Sequence, residues 1–261
     1  IIFSHFGFNI EDTKAISGGN ILNAGSAITS RGVCWSVNHN PTISNSKTVD
    51  GNGTGSFTSN ITNLFANTTY YVRAYATNST GTGYGDEIIF TTDYASVKIG
   101  TQTWMATNLI TNKYNDGTDI TTDLTDAQWK STNSGAYTYY NNSQSNQALY
   151  GNLYNWYAVN SGKLAPKGWH IPSATEWETL ISFLGGTTAA GGALKATAFW
   201  NSPNTGATNS SKFLALPGGF RYGFGSNSFS YIGENAEYWS TTQSTTPSGA
   251  NDAIAFGLFY N

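Results

Sequence analysis

The chain has 261 residues, of which 10% are charged and 15% aromatic, and a formal net charge of −3. That length holds two domains of ordinary size, while the charged share is far below the roughly 25% of most soluble proteins, so Asn, Thr, Ser and Gly must build the surface. Its 12 Lys and Arg are spread too thinly for a phosphate-neutralising stripe, which argues against nucleic acid; no apolar run nears the ~20 residues of a transmembrane segment; and a lone cysteine excludes an internal disulfide and a thiolate zinc cluster.

Residues 1 to about 92 read as all-β. Strand-like runs cover Ile28–Ser36, Gly55–Thr58, Tyr70–Thr77 and Ile88–Thr91, separated by the turn sequences Asp50-Gly51-Asn52-Gly53, Asn67-Thr68 and Asn78-Ser79-Thr80-Gly81. In the clearest strand Tyr70, Val72, Ala74 and Ala76 share one face, and Tyr71, Arg73 and Tyr75 the other. Cys34 lies in an apolar alternating run and reads as a small buried hydrophobe. Short strands at this spacing predict a β-sandwich. The run Leu64–Asn78 resembles the E–F corner and F strand of fibronectin type III domains, which makes Tyr70 the corner tyrosine, its hydroxyl bonded to backbone just upstream. With Arg31–Ser36 and Tyr84–Glu87, this half is similar to the variant found in surface proteins of Bacteroidetes-type bacteria. The domain is drawn at 1–93, with Asp93–Ser96 a short junction.

From Val97 the pattern changes. Val97–Ala106 reads as strand-turn-strand with Gly100 at the turn, Lys113–Thr118 as a tight polar turn, and Thr125–Trp129 as a short helical turn. Two aromatic-dense runs, Gly135–Tyr140 and Leu149–Val159, follow. The one helix with both ends marked comes next. Ser173 is its N-cap and Glu176, three residues on, completes a capping box; Trp177, Leu180, Ile181 and Leu184 form an apolar stripe; and Gly185-Gly186 supplies the left-handed stop. Beyond a loop at 201–211 the end is strand-rich: Phe213–Leu216, Phe229–Gly233, Glu237–Thr241 and Ala253–Tyr260. Short helices among scattered strands indicate an α+β domain, 94–261.

Six ordered pieces of this half closely resemble the Fibrobacter succinogenes major paralogous domain: Val97–Ala106, Lys113–Thr118, Leu153–Val159, Gly168–Ser173, Leu216–Arg221 and Tyr238–Thr241. The resemblance implies a C-type-lectin-like fold in a secreted or surface-anchored protein. It also implies a cysteine just before the Gly168-Trp169-His170 element and another in a final strand. Ala165 stands at the first position and the chain stops at Asn261, so that disulfide is missing and the final strand is expected to be lacking. A chain that begins at Ile1 without Met is expected to have lost a targeting segment or to be part of something longer.

The chemistry-bearing residues are sparse. His5, His39 and His170 lack metal-ligand spacing, and His170 is expected to hydrogen-bond locally. Calcium needs clustered oxygens; Asn115-Asp116-Gly117 is first a turn sequence, and Glu234-Asn235-Ala236-Glu237 is a polar loop before a strand, so no cofactor is assigned. No nucleophile elbow occurs, no carboxylate pair stands out for glycoside cleavage, and the cysteines of formylglycine-generating enzymes are absent from this half. The chain is therefore expected not to be an enzyme. The run Arg221–Phe229 combines a cation, aromatics, Asn and glycines, so Arg221, Tyr222, Phe224 and Asn227, with Glu234, Asn235 and Glu237, form the candidate ligand-binding set. Trp104, Trp156, Trp169, Trp177 and Trp239 are assigned to the core, where each indole N–H would find an acceptor.

These readings converge on an all-β sandwich followed by an α+β, C-type-lectin-like domain. The expected role is a non-catalytic protein of the bacterial cell surface or outer membrane. Its partner is a protein of a surface assembly or adhesin, with glycan capture as the alternative.

Overall fold

The computed structural model describes residues 2–22, 25–223, 228–244 and 253–261, the side chains of 3 and 5–8 excepted. The chain divides into two units, Ile1–Ala95 and Ser96–Asn261. Among the described residues no helix is long and apolar enough to cross a membrane.

Unit 1 contains β1 (Ile2–Ile10), β2 (Ala15–Ile21), β3 (Ser30–Ser36), β4 (Ser46–Lys47), β5 (Gly55–Ile61), β6 (Thr69–Asn78), β7 (Gly81–Tyr84) and β8 (Ile88–Thr91). One sheet has the order β1-β2-β5; the other runs β4-β3-β6-β7, with β8 continuing along β6. This is the expected sandwich. The alternation in β6 is what drives it: Tyr70 and Val72 pack with Val33, Ile61, Leu64 and Phe90 in the core, and Ala74 is fully buried. Tyr70 makes the expected corner bond, its hydroxyl accepting the Phe65 backbone N–H at 3.0 Å. Cys34 is fully buried, and that burial pushes its thiol up to about 11.

Unit 2 opens with a hairpin, β9 (Ser96–Ile99) and β10 (Gln102–Met105), turning at Gly100 with φ 61°. Then come α1 (Asp126–Ser131), β11 (Tyr137–Thr138), α2 (Gln144–Tyr150), β12 (Leu153–Tyr154), α3 (Trp156–Val159), α4 (Ala174–Phe183) and α5 (Thr187–Leu194). The last strands, β13 (Gly218–Arg221), β14 (Phe229–Ile232), β15 (Asn235–Gln243) and β16 (Ala253–Phe259), form a sheet in the order β14-β13-β15-β16.

α4 has the two ends its sequence marks. Ser173 Oγ accepts the Glu176 N–H and a Glu176 carboxylate oxygen accepts the Ser173 N–H at 2.8 Å. At the other end the Gly186 N–H reaches the Ile181 carbonyl at 2.9 Å and the Gly185 N–H reaches Ser182 at 3.1 Å, a complete Schellman motif. Its stripe buries Trp177 and Leu180 against Trp104, Leu194 and Phe213, with Phe256 stacked on Trp177 at 5.4 Å. Each large side chain so buried contributes roughly 1.5–3 kcal/mol, more than the ~1 kcal/mol of the cap, so packing holds the helix and the cap places its start. A second cluster gathers Ile120, Tyr137, Trp156, Val159 and Leu164.

Two sequence expectations fail here. Phe213–Leu216 is not a strand: Lys212 and Leu214 take φ near 60°, and the segment keeps only a single bridge from Ala215 to Lys195. Such a left-handed backbone is incompatible with a continuous ladder. Trp169 is not a core residue. It is half-buried, in a segment without regular structure that has no ladder or helix to carry its ring inward.

Candidate functional site

The segments around β13 build the site. Gly219 is where β13 meets β15, in a parallel ladder of one pair, Gly219 with Ala236. Only glycine fits there. Its φ is 62°, and a Cβ would lie 2.4 Å from the Ser230 carbonyl oxygen and 2.8 Å from the Ile232 nitrogen. After that pair the ladder stops, and a cavity of about 900 Å³ is lined by Phe220–Gly223 from one strand and Ala236–Trp239 from the other. The remaining walls come from residues 101–105, 150–154 and 164–172, with Trp129 and Trp177. The lining carries eleven Phe, Tyr and Trp side chains among aliphatic residues, threonines and glycines, with the amides of Gln102, Asn108 and Asn152.

The structure sorts the seven ligand candidates. Arg221, Tyr222 and Glu237 line the cavity. Glu234 and Asn235 sit at the start of β15, outside that lining, where the Glu234 backbone closes a turn to Tyr231 and accepts from Tyr260. Phe224 and Asn227 lie outside the described residues. Arg221 is a clamp. Its side chain is 2% exposed, Nη2 donates to Asp126 at 2.9 Å and to the Leu124 carbonyl at 3.0 Å, and the guanidinium lies over the Trp129 and Phe229 rings at 4.6 and 5.0 Å. Among the described residues Nε and Nη1 have no acceptor, and the two ring faces offset part of the charge. The Arg221 side chain ties α1 to the β13–β14 hairpin.

Tyr222 stands perpendicular to Phe220, centroid to centroid 4.8 Å, and burial together with the neighbouring Tyr231 hydroxyl pushes its phenol pKa up. Glu237 reaches solvent, yet the protein around its carboxyl removes enough water to raise its pKa. Opposite it Gly257 leaves room, since a Cβ there would come within 3.1 Å of a Glu237 oxygen. Glu176 is otherwise engaged. Burial opposes its ionised form, but the Ser173 N–H, His170 and the Ser173 hydroxyl outweigh it and lower the pKa, with His170 Nε2 at 2.7 Å.

The tryptophans divide between packing and lining. Trp104 packs on Trp177 at 4.7 Å, Trp156 on Trp239 at 5.9 Å, and the Trp239 and Trp177 indoles donate to the carbonyls of Tyr154 and Trp239. Among the described residues the Trp104 indole N–H finds no acceptor, contrary to the expectation for a core indole. Trp104, Trp169, Trp177 and Trp239 all border the cavity. Asp116 serves its own turn, accepting from Thr118 and pairing with Lys163 at 2.9 Å. Among the described residues no three His, Cys, Asp or Glu gather into a metal-holding group. Sequence reasoning missed Phe220 and Tyr231, which flank the flagged segment; the alternation of Phe220 with Tyr222 was the available signal.

Residues 97–260 match the Fibrobacter succinogenes major domain. The chain belongs to that family. Its Gly168–Ser173 and Leu216–Arg221 motifs are thus the loop and the strand that border the cavity. Unit 1, which precedes the major domain, lies outside that match and is the two-sheet sandwich described above. Similar solved structures include the chicken CNTN1 FN1-FN3 domains (16% identity, 35% of this chain and 30% of that one, TM-score 0.28). The sensor domain of the anti-sigma factor RsgI4 of Pseudobacteroides cellulosolvens matches at 17% identity over 36% and 74%, TM-score 0.28. The fibronectin type-III domain of human fibronectin type III domain containing protein 3 matches at 18% over 36% and 84%, TM-score 0.26. Scores this low add nothing to the strand order, which stands by itself. No curated protein sequence matches the chain.

Proposed function

We propose that this chain is a non-catalytic recognition protein of a bacterial cell surface, associated with the outer membrane, and that its major domain, C-type-lectin-like in fold, binds a glycan in the cavity between β13 and β15. Unit 1 acts as spacer or docking module. The sequence leaves a protein partner and a glycan both open, and the cavity is the observation that favours the glycan. A protein partner docks over a broad surface of about 800 Å² per side, whereas a concave site of several hundred Å³ with aromatic walls and a few convergent polar groups suits a small ligand. The cavity here has that volume and that lining. Of the charged groups on its wall, Arg221 is held by Asp126 and Glu176 by Ser173 and His170, while Glu237 keeps a carboxyl toward solvent that would repel an anion, which supports a neutral ligand. Family membership and the low charge content support the extracellular setting.

A glycan array probed with the labelled full chain tests this, once with calcium and once with EDTA. Retention on a saccharide, equal in both, is the expected result. A folded protein retained by no saccharide contradicts it.

A further inference from the structure

The β13–β14 hairpin holds an arrangement that packing alone does not require. Cross-strand pairs Phe220–Ser230 and Arg221–Phe229 fix the faces of this hairpin, and strict alternation would place Tyr231 on the side of Arg221 and Phe229. Tyr231 instead has φ 65°, and its ring stacks on Phe220, centroids 5.3 Å apart and planes 28° apart. The left-handed backbone is what moves the ring to the other face. Bulky residues avoid that region, and glycine would occupy it without strain. The moved ring is 46% exposed, so its burial does not account for the conformation. Its hydroxyl meets that of Tyr222, whose ring stands at 86° to Phe220. Phe220 and Tyr222 belong to the cavity wall. Tyr231 lies outside that lining, so the three rings form a corner running outward from the cavity wall: Phe220 and Tyr231 stacked, Tyr231 partly exposed, and Tyr222 upright beside Phe220 with a hydroxyl.

We infer that Phe220, Tyr222 and Tyr231 are the ring-stacking subsite of the cavity, which takes the apolar face of a neutral pyranose while the paired tyrosine hydroxyls hydrogen-bond its equatorial hydroxyls. This rests on the glycan reading above and adds the subsite, the charge class and the residues that select it. An uncharged sugar fits because the nearest guanidinium, Arg221, is buried and already paired with Asp126, while the carboxylate of Glu237 borders the same cavity and would repel an acidic sugar.

Calorimetric titration of the full chain separates the claims. The probes are neutral hexasaccharides of glucose, mannose and xylose, and a hexasaccharide of galacturonic acid. Tyr231→Gly removes the ring and suits the backbone angle, so it is expected to fold; Tyr222→Phe removes only a hydroxyl, and thermal melts check both. The wild type is expected to bind at least one neutral probe and to bind the uronate more weakly. Tyr231→Gly is expected to weaken that binding by about tenfold or more, the factor that a 1.4 kcal/mol loss gives, and Tyr222→Phe by less. Wild-type binding that survives Tyr231→Gly and Tyr222→Phe unchanged overturns the subsite and leaves the glycan function standing. Tighter binding of the uronate overturns the neutral class. No binding by the folded wild type to these probes or to the array overturns both.

Discussion

Gly219→Ala is the sharpest perturbation of the site's framework. The substitution adds one methyl at φ 62°, where a non-glycine residue costs about 1–2 kcal/mol. The methyl would also lie 2.4 Å from the Ser230 oxygen, 2.8 Å from the Ile232 nitrogen and 2.9 Å from the Tyr140 ring. The first two are backbone atoms of β14 and cannot swing aside, so the strand itself must shift, at a further cost of roughly 1–3 kcal/mol for overpacking. The sum, about 2–5 kcal/mol, is a large part of the 5–15 kcal/mol typical of a domain. Seven of the eight tryptophans lie in unit 2, so indole fluorescence follows that unit through a urea titration. With a slope of about 2–3 kcal/mol per molar, the midpoint should fall by roughly 1–2 M. Gly223→Ala is the control: it sits two residues past β13 with nothing within 4 Å of the added methyl, and should change stability by no more than about 0.5–1 kcal/mol. Equal midpoints for the two variants would refute the view that the meeting of β13 and β15 depends on a missing side chain.

Other consequences are expected. Tyr70→Phe removes the acceptor for the Phe65 N–H in a part-buried corner and should destabilise unit 1 by about 1–3 kcal/mol, seen as an earlier transition in calorimetry of the whole chain; an unchanged transition would show that the corner bond contributes nothing. Ser173→Ala should cost unit 2 about 1 kcal/mol by urea titration, and Ser173→Gly only a few tenths. Glu176 has a folded-state pKa below its ordinary 4.5, so its contribution is present at neutral pH and lost as acid carries the pH through that lowered value. The wild type should therefore lose stability between pH 5 and 3 more steeply than Glu176→Gln, and parallel acid curves would contradict the assignment. Cys34, buried and with its thiol near pKa 11, should resist a disulfide-exchange reagent at pH 8 in the native chain and react promptly in urea; fast native labelling would contradict its burial.

Legibility in the sequence followed the range of the interactions. α4 is legible because its cap, stripe and Schellman glycines all fall within the 14 residues Ser173–Gly186, and β6 because its alternation is local. α5 is not. Gly191 and Gly192 weaken it by about 1 kcal/mol each relative to Ala, yet Gly192 is needed where a Cβ would meet the Gly206 carbonyl oxygen at 2.3 Å, a contact that no local pattern reveals. Lys195 is likewise unreadable. It is buried, its ammonium donating to the Thr205 and Phe259 carbonyls at 2.9 Å each, and the second partner is 64 residues away. The cavity itself is assembled from segments spread between residues 101 and 255, so the sequence offers only the aromatic loop at one edge of it. The burial of Arg221, a ligand candidate by sequence, is not legible, because the rings that cover it, Trp129 and Phe229, come from two different elements.

Amide hydrogen exchange of the full chain, with and without the best-retained oligosaccharide from the array, tests the central claim most directly. Glycan binding in the cavity of the major domain predicts slower exchange in 218–222, 236–239 and the 164–172 segment, with unit 1 unchanged. Protection confined to unit 1, or to parts of unit 2 remote from those strands, would contradict it.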